Sequence, residues 1–271
     1  MTNLSQLCLE FERLWPTSGA EDWDTPGIQI GKHTDKVSRV LLTVDVTSQV
    51  VEEAIDGGFD LILAHHPMFL RGVTHLDGDS SKGSLVSVLN RAEISVYAAH
   101  TNADIVQNGV SSALANQLKL VESTAISPSG AEIGHGRIGR LAEPLELLTL
   151  ARILANLLPP TASGVRVAGN PKQKISVVAL CGGAGDSFLA DAYRLDADVY
   201  ITSDLRHHPT LEAIETAHAQ KKDFSIIDIS HWAAEWLWLD IAATQLSEAF
   251  PQLQFVVSEL RTDPWDFAVT Q

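Results

Sequence analysis

Residues 37–67 read VSRVLLTVDVTSQVVEEAIDGGFDLILAHHP, and this stretch decides the fold class. Val37–Val44 reads as a strand. Val50–Ile55 carries its apolar residues at helical spacing and ends at Gly57-Gly58, a pair suited to close a helix in the left-handed region. Leu61–Ala64 is apolar throughout and runs straight into His65-His66-Pro67. A strand with no polar face belongs in a buried parallel or mixed sheet with helices on both sides. The rhythm continues outward. A polar loop over Asp77–Lys82 leads to a helix over Ser84–Arg91, then a strand over Ile94–Ala99 that ends at His100. Upstream, Leu4, Leu7, Cys8, Phe11, Leu14 and Trp15 trace one helical face, followed by the Gly/Pro-bearing stretch Trp23–Gly31.

Farther along, the same order returns. Val178–Cys181 reads as a strand, Asp186–Leu195 as a helix and Val199–Thr202 as a strand. An offset of 138 aligns Val40 with Val178, Ala54 with Ala192 and Asp60 with Asp198; an offset of 131 aligns His100 with His231 and Asp104 with Glu235. These matches predict an internal duplication: an α/β fold of two similar halves with mixed sheets flanked by helices. Residues 123–144, with Ser-Pro-Ser-Gly, further glycines and little periodicity, mark the junction, giving halves of 1–125 and 126–271. Pro144 is expected to open an amphipathic helix that stops before Pro159-Pro160.

The chain has 271 residues, enough for one large or two small domains. With 45% apolar and 20% charged residues it can bury a core without staples. Lys plus Arg number 19 against 34 Asp plus Glu, for a net charge of −15. Such a surface repels phosphate backbones, which argues against nucleic-acid binding, and an anionic substrate would need a local positive centre. Two cysteines, Cys8 and Cys181, make no disulfide framework, so a reducing compartment is expected. No apolar run reaches membrane-span length and the N-terminus has no basic leader, so the expectation is a soluble cytoplasmic protein.

Candidate chemistry starts with His65-His66 at the carboxyl end of a strand, where ligands collect in open α/β sheets. Neighbouring residues of a strand face opposite ways, so two histidines serving one centre must sit where the chain leaves it. A lone His-His pair carries little. Two further sites change its weight: His100-Thr-Asn-Ala-Asp104 and His231-Trp-Ala-Ala-Glu235 each place a carboxylate four residues after an imidazole and follow expected strands, Ile94–Ala99 and Phe224–Ile229. His65, His66, Asp104, His231 and Glu235 together offer three imidazoles and two carboxylates. That set suits Zn, Mn, Fe, Co or Ni, and five ligands fit two divalent ions per chain better than one open zinc. His100 is either a sixth ligand or a group that orients Asp104 or a water.

Other features read more plainly. Trp232, Trp236 and Leu239 form a helical stripe expected to pack in the core. Gly134-His-Gly136-Arg-Ile-Gly139 fits G-x-G-x-x-G but follows a loop instead of a strand, so a dinucleotide site is rejected. Cys181-Gly-Gly-Ala-Gly185 reads as a tight strand-to-helix turn more readily than as an anion cradle. Asp204, His207 and His208 follow a strand near the place corresponding to His65-His66; they are either acid–base groups of the site or a loop capped at Thr210.

The motifs Ala64-His65-His66-Pro67, Tyr97-Ala-Ala-His100-Thr-Asn-Ala-Asp104, His231 with Glu235, Gly136-Arg137-Ile138-Gly139 and Cys181-Gly182-Gly183 together resemble the NIF-three-like family. Many of its members are catalogued as GTP cyclohydrolase 1 type 2 homologs. The resemblance runs from Trp23-Asp24-Thr25-Pro-Gly27 to Thr262-Asp263-Pro264-Trp265. It departs from the family pattern at Thr25, where Asn is usual, and at the Ser-Ser after Gly109-Val110. It implies two similar α/β halves with a dinuclear metal site in the cleft between them, on the five ligands reached from spacing. It also implies a toroidal homohexamer with its sites facing an internal cavity. The functional expectation is a metal-dependent hydrolase acting on a small-molecule substrate, a nucleotide such as GTP, with His100, His207 or His208 moving protons. The alternative is a non-catalytic metal-binding or partner-binding regulatory protein.

Overall fold

A computed structural model describes residues 2–129 and 134–269. Its contacts divide the chain into two compact units, Met1–Ala103 with Leu239–Thr262, and Asp104–Trp238 with Asp263–Gln271. The junction expected at 125/126 therefore falls inside the second unit.

The first unit holds a five-stranded sheet in the order Gln254–Val257, Arg39–Thr43, Leu61–Ala64, Ser95–Ala98, Gly27–Ile30. The first four strands are parallel and the last antiparallel. Leu61–Ala64 and Ser95–Ala98 are buried at every position, which is why the first reads as an unbroken apolar run and the second carries only Ser95 as a small polar group. The helix between the Arg39–Thr43 and Leu61–Ala64 strands spans Ser48–Asp56. The Thr47 hydroxyl accepts its Val50 N–H, and Gly58 follows its end at φ +62. Ser81–Arg91 begins three residues before the expected Ser84 because the Ser80 hydroxyl accepts the Gly83 N–H as its cap.

The second unit holds a six-stranded sheet in the order Arg166–Ala168, Ser225–Asp228, Val199–Ser203, Lys174–Ala184, Arg137–Glu146, Val121–Thr124. The three at its centre, Ser225–Asp228, Val199–Ser203 and Lys174–Ala184, are parallel and the outer ones antiparallel. Three expectations are corrected here. Pro144 does not open the helix, which runs Leu147–Leu157; it lies in the Arg137–Glu146 strand, in the irregular register between Arg140 and Leu145, where a residue without an N–H costs no ladder bond. The stretch 123–144 carries strands, and Gly130 within it lies outside the described residues. Cys181 does not end its strand, which continues through Ala184.

Arg137 is buried on this sheet. Its guanidinium donates to Ser112 Oγ (2.8 Å) and to the carbonyls of Gly134 (2.7 Å), Gly136 (2.6 Å) and Val106 (2.8 Å). Gly136, at φ +64, is tied to the same place, since a β-carbon there would meet the Leu180 carbonyl at 2.9 Å. The G-x-G segment thus serves a strand entry.

Within each unit the same contacts recur 138 residues apart. Asp60 accepts the backbone N–H groups of Ser38 and Arg39 at 2.7 and 3.0 Å; Asp198 accepts those of Ser176 and Val177 at 2.7 and 2.8 Å. The backbone N–H of Asp60 donates to the Arg39 carbonyl, and that of Asp198 to the Val177 carbonyl. Gly27–Ile30 closes the first sheet antiparallel to Ser95–Ala98 as Arg166–Ala168 closes the second antiparallel to Ser225–Asp228. The sheets differ at the other edge: Arg39–Thr43 has a parallel neighbour, Lys174–Ala184 an antiparallel one. Among the described residues, no helix is long and apolar enough to cross a membrane.

Candidate metal centre

In the first unit, the backbone N–H groups of His65 and His66 donate to the carbonyls of Thr43 and Val44, both at 2.9 Å, which carries the strand pairing past Ala64. His65 is fully buried and its Nδ1 lies 2.9 Å from the Ala99 carbonyl. A carbonyl only accepts, so Nδ1 carries the proton and the lone pair of the neutral ring sits on Nε2. His66 Nδ1 lies 2.7 Å from Asp45 Oδ1, and Asp45 Oδ2 accepts from the Thr262 hydroxyl at 2.6 Å. His100 Nδ1 lies 3.0 Å from Asp24 Oδ1.

Asp24 also accepts the Thr101 N–H (3.0 Å) and hydroxyl (2.6 Å). Burial opposes its charge, but the hydrogen bonds from His100 and Thr101 prevail and hold the carboxyl well below the usual carboxylate range. The three rings meet at centroid distances of 5.1 to 5.3 Å, with donor nitrogens all within 4.8 Å of one another.

In the second unit, His231 is the first residue of the helix His231–Ala249. Its Nδ1 lies 2.8 Å from Asp204 Oδ2 and its Nε2 lies 2.7 Å from Glu235 Oε1, one helical turn on. Burial works against an imidazolium here, yet the charges and hydrogen bonds of Glu235 and Asp204 raise the His231 pKa well above the ordinary value. Asp204 holds its position at φ +55, unusual for a residue with a side chain. Gly183 gives the pair room: at φ +76, a β-carbon there would sit 2.7 Å from Glu235 Oε1. Cys181 lies beside the same group. Its thiol is pushed up to about 12 by burial first, then by the charges of Asp104 and Glu235, so both carboxylates bear on one locality.

The five expected ligands therefore fall into two sets, His65 and His66 with His100 in the first unit, and Asp104, His231 and Glu235 in the second. His207 and His208 begin the helix His207–Ala219, exposed and edge-on to each other at 5.2 Å. Thr210 lies in that helix's first turn instead of capping it, its hydroxyl donating to the Arg206 carbonyl. On the long helix, Trp232 and Leu239 are buried as expected, Trp236 is partly buried, and Trp238 is fully buried. Sequence reasoning gave no role to Asp24 or Asp45, the carboxylates behind His100 and His66.

A family profile described as Duf34/NIF3 (NGG1p interacting factor 3) matches residues 2–264. The chain belongs to the NIF3 family. Among its relatives, the GTP cyclohydrolase 1 type 2 homolog of Streptomyces coelicolor is 41% identical, covering 98% of this chain and 94% of that one. The homolog of the same name from Mycobacterium tuberculosis is 30% identical, with 94% of each covered. Among solved structures, a Bacillus cereus protein related to NIF3 superimposes with a TM-score of 0.91 at 23% identity, over 98% of this chain and 99% of that one. A Staphylococcus aureus hypothetical protein gives 0.87 at 26%, over 98% and 99%. The mixed α/β architecture, with mixed sheets flanked by helices, is thus the NIF3 fold.

Proposed function

We propose that this NIF3 family member is a metal-dependent hydrolase of a nucleotide, with two divalent ions held by His65, His66, Asp104, His231 and Glu235. The supporting observation is the common setting of the imidazoles. Each of His65, His66 and His231 has an oxygen at Nδ1, from Ala99, Asp45 and Asp204 in turn. Such partners orient a ring for ligation through Nε2 and raise its basicity. The donor set, three imidazoles and two carboxylates without a thiolate, fits Zn, Mn, Fe, Co or Ni. When bound, such a pair supplies Lewis acidity and an acidified water at neutral pH.

The chain's own groups do the rest. Asp24 fixes the His100 ring through Nδ1, so that Nε2 is the atom that takes and returns a proton. His207 and His208, exposed at their helix start, relay protons on the substrate side. The names of the relatives point to GTP, in which the bond opened lies in the imidazole ring of guanine. We further infer that the two units descend from one duplicated half, as the recurring Asp60 and Asp198 contacts support. The chain would assemble as a toroidal homohexamer in the cytoplasm, where its free thiols stay reduced.

The test is to load the purified protein with each candidate metal, measure bound metal by elemental analysis, and follow GTP for ring-opened product. Two ions per chain and turnover are expected, with Glu235→Ala lowering turnover by about 100-fold or more and reducing bound metal. Absence of turnover in the parent chain, or full turnover in Glu235→Ala, overturns the hydrolase. Two ions without turnover would favour the metal-binding regulatory alternative.

A further inference from the structure

Corresponding places in the two units are finished differently. In the first, the chain travels from the Leu61–Ala64 strand to the Ser81–Arg91 helix through residues 65–80. That segment lays Met68 into the cluster of Ile30, Leu89 and Val96, with Phe69 and Val86 packed against it. The Phe69 N–H reaches Gln29 Oε1 on the outermost strand at 3.4 Å. In the second unit, Asp204, Leu205 and Arg206 alone join the Val199–Ser203 strand to the His207–Ala219 helix. Ala168 and Ile226, paired across their edge as Ile30 and Val96 are, instead line an open hollow of about 380 Å³ with Val167, Leu205, Leu211 and Ile214. Arg166, Arg206 and His207 stand on its rim. The guanidiniums pair with Asp228 and Asp186 but remain 67 and 76% exposed, in a chain of net charge −15.

The same unit carries a segment suited to that hollow. Asp263 is anchored by the Ser230 hydroxyl at 2.6 Å and accepts the Trp265 N–H at 3.0 Å. Beyond it Trp265, Phe267 and Val269 are 64, 80 and 80% exposed. In an extended chain alternate residues share a face, so these three would form one apolar edge with Asp266 on the other side. Exposed apolar groups gathered this densely mark an interaction surface.

We propose that residues 264–269 of one chain dock in the hollow of a second copy. Trp265 or Phe267 fills the place that Met68 and Phe69 fill in the first unit, and Asp266 faces the Arg166–Arg206 rim. The hollow adjoins Arg166–Ala168, the outermost strand of its sheet among the described residues, so an extended segment can also add along that edge. A second copy is the occupant because the segment's three apolar side chains stand exposed on their own chain.

Sedimentation of the full chain at several concentrations provides the test, against Trp265→Ser/Phe267→Ser and against Leu211→Glu in the hollow. Each variant should weaken association about tenfold or more, as loss of a central apolar anchor does. Thr210→Trp, which fills the hollow from the helix, should act as Leu211→Glu does and guards against a folding defect in the latter. A labelled peptide of residues 263–269 should bind the Trp265→Ser/Phe267→Ser chain and lose that binding when Leu211→Glu is added. Unchanged association in the variants, or a parent chain that does not associate, overturns the proposal. So does peptide binding with unchanged association, which would place the segment on its own chain.

Discussion

Asp45 bridges the His66 ring and the Thr262 hydroxyl, so it fixes the imidazole in both tautomer and direction. Asp45→Asn keeps the size and loses the charge. It should lower metal affinity by about 10- to 100-fold with the fold intact, measured by competition with a chromophoric chelator. Unchanged affinity would remove His66 from the ligand set. The neighbouring rings of His65 and His66 and the turn from His231 to Glu235 were legible in the sequence because each spans few residues. Asp24 and Asp45 were not, because they lie 76 and 21 residues from the rings they hold. No periodicity links a loop carboxylate to a partner that only the folded sheet brings near.

Asp60 and Asp198 each take two backbone N–H groups at the start of a neighbouring strand, an arrangement that a neutral side chain cannot fully replace. Asp60→Ala and Asp198→Ala should each cost about 2 to 3 kcal/mol, read from the urea midpoint, with the Asn variants losing less. Equal costs would follow from equal roles in the two units. Apolar runs flanked by glycine or serine signalled their elements well, because burial on both faces and a local cap suffice to specify them. Pro144 misled because its rigid φ suits a helix start and an irregular strand alike, and only the pairing with Ile175 and its neighbours decides. The strand beyond Cys181 was hidden for a similar reason: glycines signal a turn unless a partner strand claims them.

For the whole molecule, the sequence carried the order of elements but not the division of contacts. Gln254–Val257 returns to pair with Arg39–Thr43, over two hundred residues away, and short edge strands leave no pattern that names a partner. Stability should fall on the alkaline side. Burial pushes Cys8 up to about 11 and Cys181 up to about 12, whereas an unfolded thiol titrates near about 8.5. Both shifts are upward, so their contribution is fully present below about pH 8.5. It is lost as pH rises toward the folded values, because the unfolded chain sheds protons that the folded one keeps. Replacing both cysteines with alanine should flatten the decline in urea midpoint between about pH 8.5 and 11. An unaltered slope would place its origin in other groups.

Where Lys174–Ala184 passes beside Glu235 and His231, it does so as bare main chain at Gly183. Every single-base change of a glycine codon that installs another amino acid brings a β-carbon with it. Any substitution at this position therefore meets the carboxylate and keeps a left-handed backbone, so Glu235 must swing away from His231 before the new side chain fits.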